Sequence, residues 1–128
     1  MKTLLTTFCV TIAVLLGSAG NSWSADFQKG VTAAQSGDFA TALREWTPLA
    51  EQGDADAQYN LGVMYDNGQG VLQDYIYAHM WFNIAASSGG GGNASKNRDI
   101  IAKRMNSSQL EKAQDLAREC VRKKYKGC

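Results

Sequence analysis

One histidine, His79, stands in the whole chain, and that scarcity excludes metal centres and imidazole-based catalysis that need a second ligand or a paired base. A lone imidazole reads as a packing or surface side chain. Serines are present, but Ser22 and Ser24 lie near the start and the others fall at helix ends, so no nucleophile, base and orienting group form a visible triad. No catalytic residue, cofactor or metal is expected. The glycine run from Gly89 to Gly92 is followed by no Lys-Ser or Lys-Thr pair, which excludes a nucleotide phosphate loop and leaves a loose linker. The only proline, Pro48, falls inside a helical pattern, where it predicts a bend. The longest apolar run, Leu4 to Leu16, is well short of the roughly 20 residues a spanning helix needs.

That run has another reading. Lys2 precedes it, the small residues Gly17, Ser18, Ala19 and Gly20 follow it, and polar Asn21, Ser22 and Ser24 come next, the layout of a secretory signal with a cut after Ser24 or Ala25. Residues 1–24 are therefore expected to leave, Cys9 with them. The protein is then periplasmic or secreted. In such an oxidising compartment Cys120 and Cys128, the other two cysteines, are expected to form a disulfide, with the chain folding back at Gly127. Zinc or redox readings of the pair lack further ligands and the tighter C-x-x-C spacing.

Charge is scarce overall but strongly sorted. Loss of Lys2 leaves a mature chain with 12 basic and 12 acidic residues, and no nucleic-acid partner is expected. From Asp26 to Gly91 eight acids face only Lys29 and Arg44, a net of −6; from Gly92 to Cys128 ten basic residues face four acids, a net of +6. Opposite fields at the two ends steer opposite partners and also suggest salt-sensitive head-to-tail self-association.

An internal repeat supplies the architecture. Asp38, Ala42, Trp46, Ala50 and Gly53 recur as Asp74, Ala78, Phe82, Ala86 and Gly89, each displaced by 36 residues. Gly30 lies 12 residues before Ala42 and Gly62 lies 16 before Ala78, the extra four forming Gly68-Gln69-Gly70-Val71. Gly62 and Ala78 are small where two helices cross closely, with Tyr65 and Phe82 filling the space beside them. Asp26, Asp38, Asp54 and Asp74 predict helix starts, and Gly37, Gly53, Gly68 and Gly89 predict ends. Beyond the linker, Lys-Asn-Arg-Asp from Lys96 to Asp99 leads a helix that Met105 ends. Ser108-x-x-Glu111 reads as a capping box for a last helix carrying Leu110, Ala113, Leu116, Ala117 and Cys120. Trp46, Trp81 and Phe82 are core aromatics at helical spacing.

Leu61, Gly62, Tyr65, the Gly68-x-Gly70-Val71 loop, Asp74, Ala78, Trp81, Ala85, Ala86 and Gly89 together resemble a Sel1-like repeat, a relative of the tetratricopeptide repeats. The resemblance implies an all-α, short solenoid of antiparallel helix pairs. One and a half repeats occupy residues 25–91, and a terminal helix pair with a disulfide-tied tail occupies 92–128. It further implies a scaffold that binds protein or peptide partners, and it supports a structural bridge at Cys120 and Cys128. Carried across position by position, the inner groove of tetratricopeptide proteins falls on Asp56, Tyr59, Asn60, Val63, Asp66 and Asn67, with Phe27, Val31 and Ala34 in the partial unit. Equally, these are solvated polar positions on a short concave surface. Two other functions stay open. The basic end, Arg118, Arg122, Lys123, Lys124 and Lys126, suits anchoring to an anionic envelope surface. By analogy with cysteine-rich secreted Sel1 proteins, weak β-lactam binding or hydrolysis is a third reading, for which no S-x-x-K signature is present.

Overall fold

A computed structural model describes residues 25–128; the expected signal segment, 1–24, lies outside them. Six helices follow one another: α1 (Phe27–Gln35), α2 (Phe39–Glu51), α3 (Ala55–Asn67), α4 (Tyr75–Ser87), α5 (Gly91–Ala102) and α6 (Ser107–Arg122), with no strand among the described residues. The four aspartates open the first four helices. Asp26 accepts from the Lys29 N–H, Asp38 from Thr41, Asp54 from Ala57, and Asp74 from both Ile76 and Tyr77. Each such cap contributes about 1 kcal/mol. Pro48 does not end α2, which runs on to Glu51.

Three expectations about the C-terminal third are corrected. Gly91 and Gly92 belong to the first turn of α5 and not to a linker, so Lys96 to Asp99 lie in mid-helix, and the helix ends at Ala102, short of Met105. The capping box of α6 is made two residues earlier than Ser108 and Glu111. The Asn106 side chain accepts from the Gln109 N–H at 2.8 Å, and the Gln109 carbonyl oxygen accepts from the Asn106 N–H at 3.0 Å. Asparagine and glutamine complete the box as well as serine and glutamate do. The chain begins its reversal after α6 at Lys124 (φ 54°) and Tyr125 (φ 66°), and Gly127, the expected fold-back point, is left-handed as well (φ 68°). There the Tyr125 N–H donates to the Cys120 carbonyl and the Lys124 N–H to that of Val121, a Schellman end with lysine in the left-handed seat.

Packing follows the repeat. α1 lies on α2, α2 on α3, and α3 on α4. Side chains at Gly30 and Gly62 would collide with the rings of Trp46 and Phe82 respectively. The same glycine-on-aromatic contact thus recurs in both units, with the four extra residues absorbed by the loop after Gly68. Phe82 is fully buried and Trp46 and Trp81 nearly so. α4 is buried almost all round because α5 covers Ala78 and Phe82 through Ile101, while α6 covers another side through Ala117 and Cys120. Both terminal helices therefore lean on α4. Cys120 and Cys128 are bridged, their Cα atoms 5.6 Å apart. The bridge holds Tyr125 over Gly53, and its hydroxyl lies 3.4 Å from the Ser88 Oγ.

Candidate functional site

Between α1 and α3, over the start of α2, a mainly apolar cavity of about 270 Å³ is lined by Ala34, Phe39, Trp46, Asn60, Val63 and Gln69. Of the residues singled out by sequence, Asn60, Val63 and Ala34 meet here. Phe27 and Val31 stand on the same first helix and are half-buried, Phe27 with its ring 6.0 Å from that of Trp46 and its carbonyl accepting from the Trp46 Nε1–H. Asp56 and Asn67 are exposed at the two ends of α3. Tyr59 and Asp66 are engaged elsewhere. The Tyr59 hydroxyl accepts from Asn97 Nδ2 at 2.9 Å, its ring lies 5.5 Å from Phe82, and Asp66 stands 3.9 Å from the Arg104 guanidinium beyond α5. α3 presents two faces, and the terminal unit takes the second of them.

The basic end is less free than its sequence suggests. Arg118 pairs with Asp115 and Arg122 with Glu119, each one turn apart on α6, leaving Lys123, Lys124 and Lys126 exposed on the tail. The Arg122 guanidinium holds the Glu119 carboxyl below its ordinary pKa through their hydrogen bond. Exposed pairs of this kind stabilise by only about 0 to 1 kcal/mol.

Comparison with known proteins follows the same outline. Residues 55–90, from the first residue of α3 to the turn after α4, match the family described as Sel1 repeat. The chain carries a Sel1 repeat. Among solved structures it is similar to a protective antigen present in uropathogenic Escherichia coli strains, described as displaying an SLR fold, with 32% identity and a TM-score of 0.70. That match takes in 77% of this chain but 22% of the antigen, so the chain spans about a fifth of its length. Comparison with curated proteins gave no match. The Sel1 unit is α3–α4, and its signature residues do structural work. Gly62 admits the Phe82 ring, Asp74 caps α4, and Gly70 (φ 72°) brings the loop onto Phe39 and Met64. The Sel1 fold is typically a scaffold that binds protein partners without catalysis.

His79, on the second Sel1 helix, is a packing residue with a consequence. It is 3% exposed, and its Nδ1 has no hydrogen-bond partner among the described residues. Burial first, and the nearby Arg98 charge second, push its pKa below the ordinary 6.5, with Asp99 pulling weakly the other way. Below pH 6.5 the unfolded chain takes up a proton that the folded chain refuses, so stability falls as pH drops from 6.5 toward the folded-state value and is unaffected by this group above it. The slope approaches at most about 1.4 kcal/mol per pH unit for one proton. Urea unfolding across that window should show His79→Gln losing this component of the acid sensitivity; identical pH profiles for both proteins would contradict it.

Proposed function

We propose that this chain is an exported, non-catalytic helical-repeat scaffold that binds an extended segment of a protein partner in the groove between α1 and α3. The observation that carries the reading is the juxtaposition there of apolar walls, Val63 and Phe39, with the amide of Asn60. An amide of this kind hydrogen-bonds a peptide backbone while the walls accept its side chains. The acidic character of this half of the chain favours a basic segment. Export follows from the residues before Ser24 and is consistent with a bridged cysteine pair, and periplasm or exterior is the proposed location.

A photoreactive side chain at position 60 is expected to crosslink a discrete partner from the envelope of the producing cell, whereas the same group at exposed Lys112 does not. Val63→Arg, which places a charge in the cavity, should weaken the captured complex by about tenfold or more, equivalent to about 1.4 kcal/mol. Equal capture from both positions, or indifference to Val63→Arg, would remove the groove from the account.

A further inference from the structure

The second Sel1 helix carries one polar stripe between its two neighbours, buried at His79, half-buried at Asn83 and exposed at Ser87. Ala78 and Phe82 face Ile101 of α5, Ile84 shares a cluster with Ala117 and Cys120 of α6, and between these two sides His79, Asn83 and Ser87 stand in a row at four-residue spacing. α5 and α6 both pack on α4, so they wall a cleft whose floor is this polar row. One end, about 290 Å³, is lined by His79, Arg98 and Leu110; the other, about 510 Å³, by Ile84, Arg118 and Val121. Asn83 and Gln114 line both, so the two cavities adjoin along α4.

Its chemistry is not that of idle surface. His79 is almost wholly buried at the floor, and its Nδ1 is unpartnered among the described residues. Arg98 donates through Nη1 to the Asn83 side-chain oxygen at 3.2 Å and through Nε to Asp99 at 3.0 Å, which leaves its planar fork further N–H groups to offer. That bond also fixes Asn83 with its amide nitrogen available. Val121, 48% exposed, supplies apolar surface at the far end, beside the buried Ile84. The row from His79 to Ser87 spans about 12 Å of helix, the length of roughly four extended residues. Among the lining residues Arg98 and Arg118 face one acid, Asp99, so a ligand with a carboxylate is favoured.

We propose that the trough between α5 and α6 is a second binding site, for an extended peptide segment of a partner protein that carries a carboxylate. The carboxylate sits on Arg98 above His79, the peptide backbone meets the amides of Asn83 and Gln114, and an apolar side chain lies against Val121. The site is separate from the α1–α3 groove and does not depend on it.

Because His79 is the only histidine, its ring signals are unambiguous in nuclear magnetic resonance spectra of the isotope-labelled chain. The probes are three pools of acetylated hexapeptides: one amidated with glutamate fixed at the third position, one identical but with glutamine there, and one lacking acids but ending in a free carboxylate. The His79 imidazole and the Asn83 and Gln114 amides are expected to shift with a carboxylate-bearing pool. Which of the two such pools acts tells whether the carboxylate belongs to a side chain or a chain end. Apparent affinity should fall about tenfold or more in the glutamine pool, in Arg98→Gln and in Gln114→Ala, and stay unchanged in Asn60→Ala. Unmoved signals with every pool, equal response to the glutamine pool, or full response in a folded Arg98→Gln chain would overturn the proposal. So would His79 shifts produced by protein concentration alone, which would assign the trough to a second copy. None of these outcomes bears on crosslinking at position 60.

Discussion

Phe82→Ala is expected to lower the unfolding free energy by about 4 kcal/mol and Gly62→Leu by about 3 kcal/mol, while the double variant loses clearly less than the two together. The reason is one shared space. A Cβ at Gly62 would lie 2.7 Å from two ring atoms of Phe82 and 3.1 Å from its Cγ, and the ring is fully buried with Tyr59 packed against it. Since the clash reaches the root of the ring, no small swing of its far edge relieves it. Helix propensity argues in the opposite direction, because glycine inside a helix is less favourable than alanine by about 1 kcal/mol. A net loss in Gly62→Leu therefore reports the crossing and not the local helix. Once Phe82 is truncated, the leucine enters the vacated volume, and the coupling should exceed about 1 kcal/mol. Denaturant unfolding of the four proteins measures it. An additive cycle would mean that α3 and α4 do not meet through this pair.

Breaking the Cys120–Cys128 bridge, by Cys128→Ser or by reductant, is expected to cost about 2.5 kcal/mol from loop closure alone. In a domain of this size that lowers the melting temperature by about 10 °C or more. One contact adds to that loss and one feature offsets part of it. The ring of Tyr125 covers Gly53 only while the tail is turned back, whereas the left-handed backbone at Lys124 and Tyr125, which non-glycine residues seldom adopt, is freed once the bridge opens. Releasing Cys128 lets the tail relax and exposes the end of the core that Cys120 and Tyr125 help to close. Thermal unfolding followed by circular dichroism, with and without reductant, decides the point. Equal melting temperatures would show that the tail contributes nothing to the closed fold.

Much of this fold was legible along the chain because the deciding interactions are local. An aspartate accepts N–H groups two or three residues on, and a glycine admits the left-handed turn that ends its own helix, so four helix starts and their ends could be placed from spacing alone. The displacement of 36 residues between Trp46 and Phe82, against 32 between Gly30 and Gly62, likewise anticipated two matching helix pairs with a longer loop in the second; that Gly30 and Gly62 each face an aromatic ring, where Gly62 was expected to cross at Ala78, came only from the packing. The C-terminal third was harder to place because α5 begins on glycine with no side-chain cap, and its apolar pattern is weak. The box at Asn106 and Gln109 lay in plain sight, but serine and glutamate two residues later fit the same template.

Function divides along the same line. Sequence by itself determined the Sel1 unit and the four aspartate caps, since each rests on residue type and short spacing. Only the tertiary structure decided that Tyr59 and Asp66 turn away from the groove to meet Asn97 and Arg104, and that cavities open beside Asn83 between α5 and α6. A helix shows its periodicity in sequence, but which of its faces a distant helix will cover depends on where that helix comes to rest, and long-range packing sets that.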